Sequence, residues 1–118
     1  MTDAPVTYIQ SRSYRAPEVI LGCPYDARID VWSLGGVLAE LLTGYVLFQN
    51  FSIATMLARI TGIMGPFPPH VLRQGKETGK YFTLAGVAYD RSEAGDLCLV
   101  YPKKTSLAHR LGLGLGFP

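Results

Sequence analysis

The 118-residue sequence holds only two cysteines, and Cys23 and Cys98 share no Cys-x-x-Cys spacing. A disulfide framework or a cysteine-built metal site therefore has no support, and a reducing intracellular setting, cytoplasm or nucleus, is expected. Charge is also scarce: 17% of residues are charged and the net charge is +2. Neither a nucleic-acid footprint nor a polybasic membrane surface is implied, so neither nucleic acid nor membrane is expected as a partner. The longest apolar stretch, residues 29–44, is interrupted by Asp30 and Glu40 and is too short to span a bilayer. Met1 to Gln10 carries no basic region followed by an apolar run, which speaks against a secretory signal. No repeat recurs at a period of 20 to 50 residues.

What is present is enough apolar material for a core, 48% of residues, together with 13 glycines and 8 prolines that make the part after Gly62 rich in turns. The length suits one small domain or a piece of a larger one. The run from Ile29 to Gly44 predicts a helix about 25 Å long, with Asp26 as N-cap and Gly44 as its left-handed terminator. Its apolar residues Ile29, Val31, Trp32, Leu34, Val37, Leu38, Leu41 and Leu42 spread around most of the barrel, so burial on several sides is expected. Leaving half of them exposed would forfeit roughly 6 to 12 kcal/mol of burial energy, comparable to the whole stability of a domain.

Before this helix, residues 1–28 read as an extended loop leading to a short helix at Pro17 to Leu21 that Gly22 closes. After it, Tyr45 to Phe48 is an apolar connector expected to pack back onto the helix. Asn50 or Ser52 then caps a second amphipathic helix carrying Ile53, Met56, Leu57, Ile60, Ile63 and Met64, which Gly65 to Pro69 stops. A helical turn is expected around Val71 to Gln74. Tyr81 to Ala88 and Leu97 to Tyr101 predict two strands, with the polar stretch Asp90 to Asp96 as the long loop of a hairpin.

Ala16-Pro17-Glu18 resembles the Ala-Pro-Glu element that closes the activation segment of protein kinases. It lies within Ser11-Arg12-Ser13-Tyr14-Arg15-Ala16-Pro17-Glu18, and Glu18 stands 12 positions before Asp30-Val31-Trp32-Ser33-Leu34-Gly35. That spacing is similar to an activation segment followed by the central helix of the kinase C-terminal lobe. Tyr-Arg-Ala-Pro-Glu resembles the CMGC group. Tyr8-Ile9-Gln10-Ser11-Arg12, Leu21 to Asp26 and Pro102 to Leu107 narrow the likeness to the dual-specificity tyrosine-regulated (DYRK) kinases, over roughly residues 8–111.

The resemblance implies a mainly α fold with a small β-hairpin, an incomplete C-terminal lobe of the protein-kinase fold. It divides into the end of the activation segment (1–28), the central and following helices (29–65), a CMGC-type insert with a hairpin (66–110) and a Leu/Gly tail expected to be disordered (111–118). Tyr8 would be the autophosphorylated activation-loop tyrosine, and Arg12 and Arg15 the guanidinium forks that receive its phosphate. The plain alternative is a tyrosine and two arginines on a solvated loop. Ser11 would face the catalytic aspartate beside the substrate, or serve only as a turn serine. Ser13, Tyr14, Arg15 and Ala16 would shape the pocket for the residue after the phosphoacceptor.

Glu18 would pair with an arginine that no position here supplies. Asp30 would hold the catalytic loop, or only complement the helix dipole. Trp32 is most simply core, with an indole N–H that needs a partner if buried. The hairpin would be a structural extension or a docking surface.

A complete kinase of this kind would use ATP and magnesium to phosphorylate protein Ser or Thr. The Gly-rich loop, the Lys–Glu pair, the catalytic Asp and Asn and the Asp-Phe-Gly aspartate that this requires are not in the sequence. No catalytic residue, metal ligand or cofactor is therefore assigned to this chain. His109-Arg110-Leu111 has leucine where a catalytic aspartate belongs and reads as a surface basic pair. Gly112, Gly114 and Gly116 do not match a nucleotide loop. The expectation is a catalytically inactive fragment with exposed hydrophobic surface, expected to meet protein substrates or docking proteins; the rival reading is a non-catalytic interaction module.

Overall fold

The computed structural model describes residues 11–112. Tyr8 and residues 113–118 of the expected tail lie outside this range. The described chain runs through five helices, α1 (Pro17–Leu21), α2 (Arg28–Thr43), α3 (Ile53–Met64), α4 (Pro69–Gln74) and α5 (Leu107–Arg110), with strands β1 (Ala88–Arg91) and β2 (Leu97–Val100) between α4 and α5. Short 3-10 turns sit at Arg12–Tyr14 and Thr78–Lys80.

The core forms around α3. Its Met56, Leu57, Ile60 and Ile63 are buried with Ile20, Leu21, Cys23, Phe48, Phe82 and Ala88. This helix starts as its sequence dictates. The Ser52 hydroxyl accepts from the Thr55 amide at 3.2 Å and the Thr55 hydroxyl accepts from the Ser52 amide at 2.9 Å, a closed capping box. A smaller cluster, Ala16, Val19 and Ile29, joins α1 to the start of α2, and Trp32 packs against both clusters. Phe48 stacks on Trp32 with ring centroids 5.2 Å apart and planes 10° off parallel, so the connector after α2 does fold back onto the helix.

Three sequence expectations need correction. The N-cap of α2 is Ala27, not Asp26, although the Asp26 carboxylate still accepts from the Arg28 amide at 2.9 Å and so answers one of the orphan N–H groups. The Arg28 amide and guanidinium hold the Asp26 carboxyl below its usual value. Second, α2 is not buried on several sides: only Ile29, Gly36 and Ala39 are buried along it, while Val31, Leu34, Val37, Leu38, Leu41 and Leu42 are exposed. No described element packs over that face.

The third correction is the first strand. Tyr81 to Ala88 folds on itself, because the Gly86 amide donates to the Thr83 carbonyl at 2.8 Å, the Thr83 amide donates to the Val87 carbonyl at 2.9 Å, and Gly86 takes a left-handed φ of 82°. Only the isolated bridge between Phe82 and Ala88 survives of the expected strand. The ladder begins instead at Ala88 and runs through the polar Asp90 and Arg91, in antiparallel register Ala88 to Val100, Tyr89 to Leu99, Asp90 to Cys98 and Arg91 to Leu97. The Arg91 guanidinium lies over the Tyr89 ring and donates to the Gly95 carbonyl at 3.1 Å, which makes a charged pair of residues compatible with a strand.

Candidate functional site

The residues Ser11 to Glu18 are moored to one face of α2. Ser33, Gly36 and Glu40 recur at helical spacing and form a small polar stripe on an otherwise apolar helix. The 3-10 turn at Arg12–Tyr14, closed by the Tyr14 amide donating to the Ser11 carbonyl at 2.9 Å, lays the Tyr14 ring along that stripe. A Cβ at Gly36 would sit 3.3 Å from Tyr14 Cδ1, so glycine is what lets the ring approach the helix backbone.

Polar contacts lock the arrangement. The Tyr14 phenol donates a short hydrogen bond to Glu40 Oε1, and the Ser33 hydroxyl donates to the Tyr14 carbonyl at 2.7 Å. The Asn50 side-chain amide donates to Ser13 Oγ at 3.2 Å and to the Phe48 carbonyl at 2.8 Å, tying the same loop to the connector after α2. The bond to Glu40 is the leading cause that raises the Tyr14 phenol above its usual value.

Of the residues picked from sequence, Ser11 and Arg12 are exposed, Ser13 and Tyr14 half-buried and Arg15 buried. Burial pushes the Arg15 guanidinium below its usual value, and the neighbouring Arg12 charge adds to the shift. Glu18 is half-buried and makes no ion pair among the described residues. Asp30 is exposed in the first turn of α2. Trp32 Nε1 is buried without a hydrogen-bond partner among the described residues, so the need noted for this indole is unmet. The Cys23 thiol is buried, 3.5 Å from the Val71 carbonyl, and burial followed by the nearby Glu18 raises its pKa, which makes it a poor nucleophile.

The anchors Glu40, Ser33, Gly36 and Asn50 lie outside the sequence-derived candidate site. The signal for the first three was their 3.6-residue periodicity within α2; Asn50 had none beyond its capping propensity. The reading of His109-Arg110 as a surface pair also needs revision. His109 is exposed, but Arg110 is half-buried and its Nε is enclosed.

A groove of about 620 Å³ runs along the uncovered side of α2, lined by Val31, Trp32, Leu38 and Leu42 with Met64 and Leu111, and Glu18 stands at its edge. No group of three or more His, Cys, Asp and Glu side chains among the described residues is placed to hold a metal ion. Among the described residues no helix is long and apolar enough to cross a membrane.

The protein kinase domain model matches residues 2–80. The match covers more than half of the chain, which therefore belongs to the protein kinase family. Within that family it is DYRK-like: it is 53% identical over 76 residues to the human dual specificity tyrosine-phosphorylation-regulated kinase 3, a match covering 64% of this chain and 13% of that protein. It is 51% identical over 76 residues to the serine/threonine-protein kinase ppk15 of Schizosaccharomyces pombe, covering 64% of this chain and 14% of the relative. The dual specificity protein kinase YAK1 of Saccharomyces cerevisiae matches at 49% over 75 residues, 64% of this chain and 9% of the relative. The chain thus spans about one seventh or less of the length of these curated relatives.

Proposed function

We propose that residues 11–18 form the substrate-facing end of an activation segment, and that this chain is a C-terminal-lobe fragment of an intracellular DYRK-like kinase. The complete enzyme would transfer the γ-phosphoryl group of ATP, with magnesium, to Ser or Thr of protein substrates. Tyr8 is the proposed autophosphorylation site. Arg12 and Arg15 are its proposed phosphate receivers, a role supported by two neighbouring guanidinium groups whose charges a phosphate would offset. Ser11, Ser13, Tyr14 and Arg15 would border the substrate pocket, residues 66–110 would be the group's insert, and Asp30 would meet the catalytic loop of the complete lobe.

The observation that carries this reading is the clamp of Tyr14 and Ser13 by Glu40, Ser33 and Asn50. It holds backbone and side chains rigidly just ahead of the Ala-Pro-Glu helix, which is what a surface that positions a peptide requires. The chain alone is proposed to be inactive, since the phosphate-binding and catalytic motifs are not in its sequence.

Two measurements test this. The purified 118-residue chain should show no phosphate transfer from radiolabelled ATP. A chimera in which residues 2–80 replace the matching stretch of one of the relatives should retain kinase activity, and lose most of it on Tyr8→Phe. A folded chimera without activity, or turnover by the isolated chain, would overturn the proposal.

A further inference from the structure

A second cavity, of about 520 Å³, is lined by Arg59, Lys103 and Arg110, with Gln49, Asn50 and Phe51 among its other walls and no Asp or Glu among the described residues. Local structure brings these cations together from distant points of the chain. Gly62 lets residues 103–105 lie directly on α3: the Thr105 amide donates to the Gly62 carbonyl at 2.8 Å, and a Cβ at Gly62 would stand 2.5 Å from the Lys103 carbonyl. The Ser106 hydroxyl then accepts from the His109 amide at 3.1 Å and starts α5, which packs against α3 and carries Arg110 to the cavity.

The two arginines are differently committed. Arg59 Nε donates to the Leu47 carbonyl at 2.7 Å, which fixes the guanidinium plane, and its terminal nitrogens have no partner among the described residues. Arg110 Nε is buried with no partner at all among the described residues. Burial and the neighbouring Arg110 charge both push Arg59 below its usual value. An enclosed guanidinium N–H without an acceptor, beside two more cations and no acid, is an incomplete arrangement unless an anion completes it.

We propose that this cavity is an anion-binding site for a phosphate-class oxyanion, held by Arg59, Arg110 and Lys103. A dianion with several acceptor oxygens matches two planar forks and an ammonium better than a single carboxylate does. The volume exceeds that of an ion, and Phe51, Ala58 and Ile63 give the cavity an apolar side, so a phosphorylated side chain fits as well as free phosphate. Asn50 lines the cavity and also donates to Ser13, so an occupant would touch a wall that braces the loop at Ser11 to Ala16. The site is distinct from the proposed receivers Arg12 and Arg15, and its existence does not depend on whether the parent chain is an active kinase.

The test is calorimetric titration of the 118-residue chain at constant ionic strength with inorganic phosphate, and in parallel with a capped Ala-phosphoserine-Ala peptide. Saturable binding is expected, weakened at least tenfold by Arg110→Gln and by Lys103→Gln. The Lys103 side chain makes no described contact, so that variant should fold normally, as circular dichroism would verify. Arg73→Gln, at an exposed position of α4, should bind like the parent. Tighter binding of the peptide than of phosphate would assign the site to phosphorylated polypeptide; equal or weaker binding would assign it to free phosphate. No saturable binding, or binding unchanged in both Arg110→Gln and Lys103→Gln and therefore located elsewhere, would overturn the proposal.

Discussion

The phenolic hydroxyl of Tyr14 hydrogen-bonds the carboxylate of Glu40, 26 residues further along the chain, and so fastens the loop ahead of α1 to the fourth turn of α2. The bond requires the phenol to keep its proton. Its pKa is raised from 10.0, so its contribution to stability is fully present below pH 10 and is lost as the pH climbs through the higher folded-state value. Tyr14→Phe should therefore be less stable than the parent at neutral pH, and the gap between the two should close in strongly alkaline solution. Urea midpoints measured by circular dichroism from pH 7 to pH 11 would check this; a gap independent of pH would refute it.

Gly62 and Gly35 are both helical glycines, and their substitutions should have opposite signs. A methyl group at Gly35 meets nothing within 4 Å, whereas at Gly62 it meets the Lys103 carbonyl at 2.5 Å. Gly35→Ala should gain up to about 1 kcal/mol from helix propensity. Gly62→Ala should lose about 1 to 3 kcal/mol, because the overlap displaces residues 103–105 and outweighs the same propensity gain. Equilibrium denaturation of the two variants decides it, and a stabilised Gly62→Ala would show that the close approach is not real.

Ser52→Ala opens the capping box at the start of α3 and should cost about 1 kcal/mol. Thr55→Ala should cost a similar amount, and the double substitution less than the sum, since the two hydroxyls also hydrogen-bond each other at 3.3 Å. A double-mutant cycle in urea measures the coupling directly; strict additivity would mean that the hydroxyl–hydroxyl contact contributes nothing.

Leu41 and Leu42 are 77% and 63% exposed, so charging them should leave stability within about 0.5 kcal/mol of the parent. Leu41→Glu with Leu42→Lys should instead reduce binding of a hydrophobic dye and aggregation. A loss of several kcal/mol would reveal that the face is covered in solution.

Much of the local structure was legible because it rests on short-range rules. Pro17 and Gly22 bracket α1, Gly44 ends α2 with a φ of 81°, and Ser52 begins α3, each by its own backbone or side-chain chemistry. The first strand is not legible in the same way: the apolar, β-branched composition of Tyr81 to Ala88 suits a ladder, yet Thr83 and Gly86 close a turn there, and Arg91 lies in the strand through a stacking contact that no period can show. In the candidate site the loop residues were named by motif, but their anchors Ser33, Glu40 and Asn50 depend on which face of α2 the loop meets. The basic cavity was invisible for the same reason: Arg59 and Arg110 meet only through the path that Gly62 opens. Such encounters are properties of the folded chain.

Trp32 is the only tryptophan, and its ring lies between two clusters with Phe48 flat against it and its indole N–H unanswered among the described residues. Its emission, at longer wavelength than that of the seven tyrosines, is therefore the chain's single indole signal, and it issues from the groove beside α2. Any molecule or chain segment that brought an acceptor to that N–H, or excluded water from the groove, would shift the colour of that light.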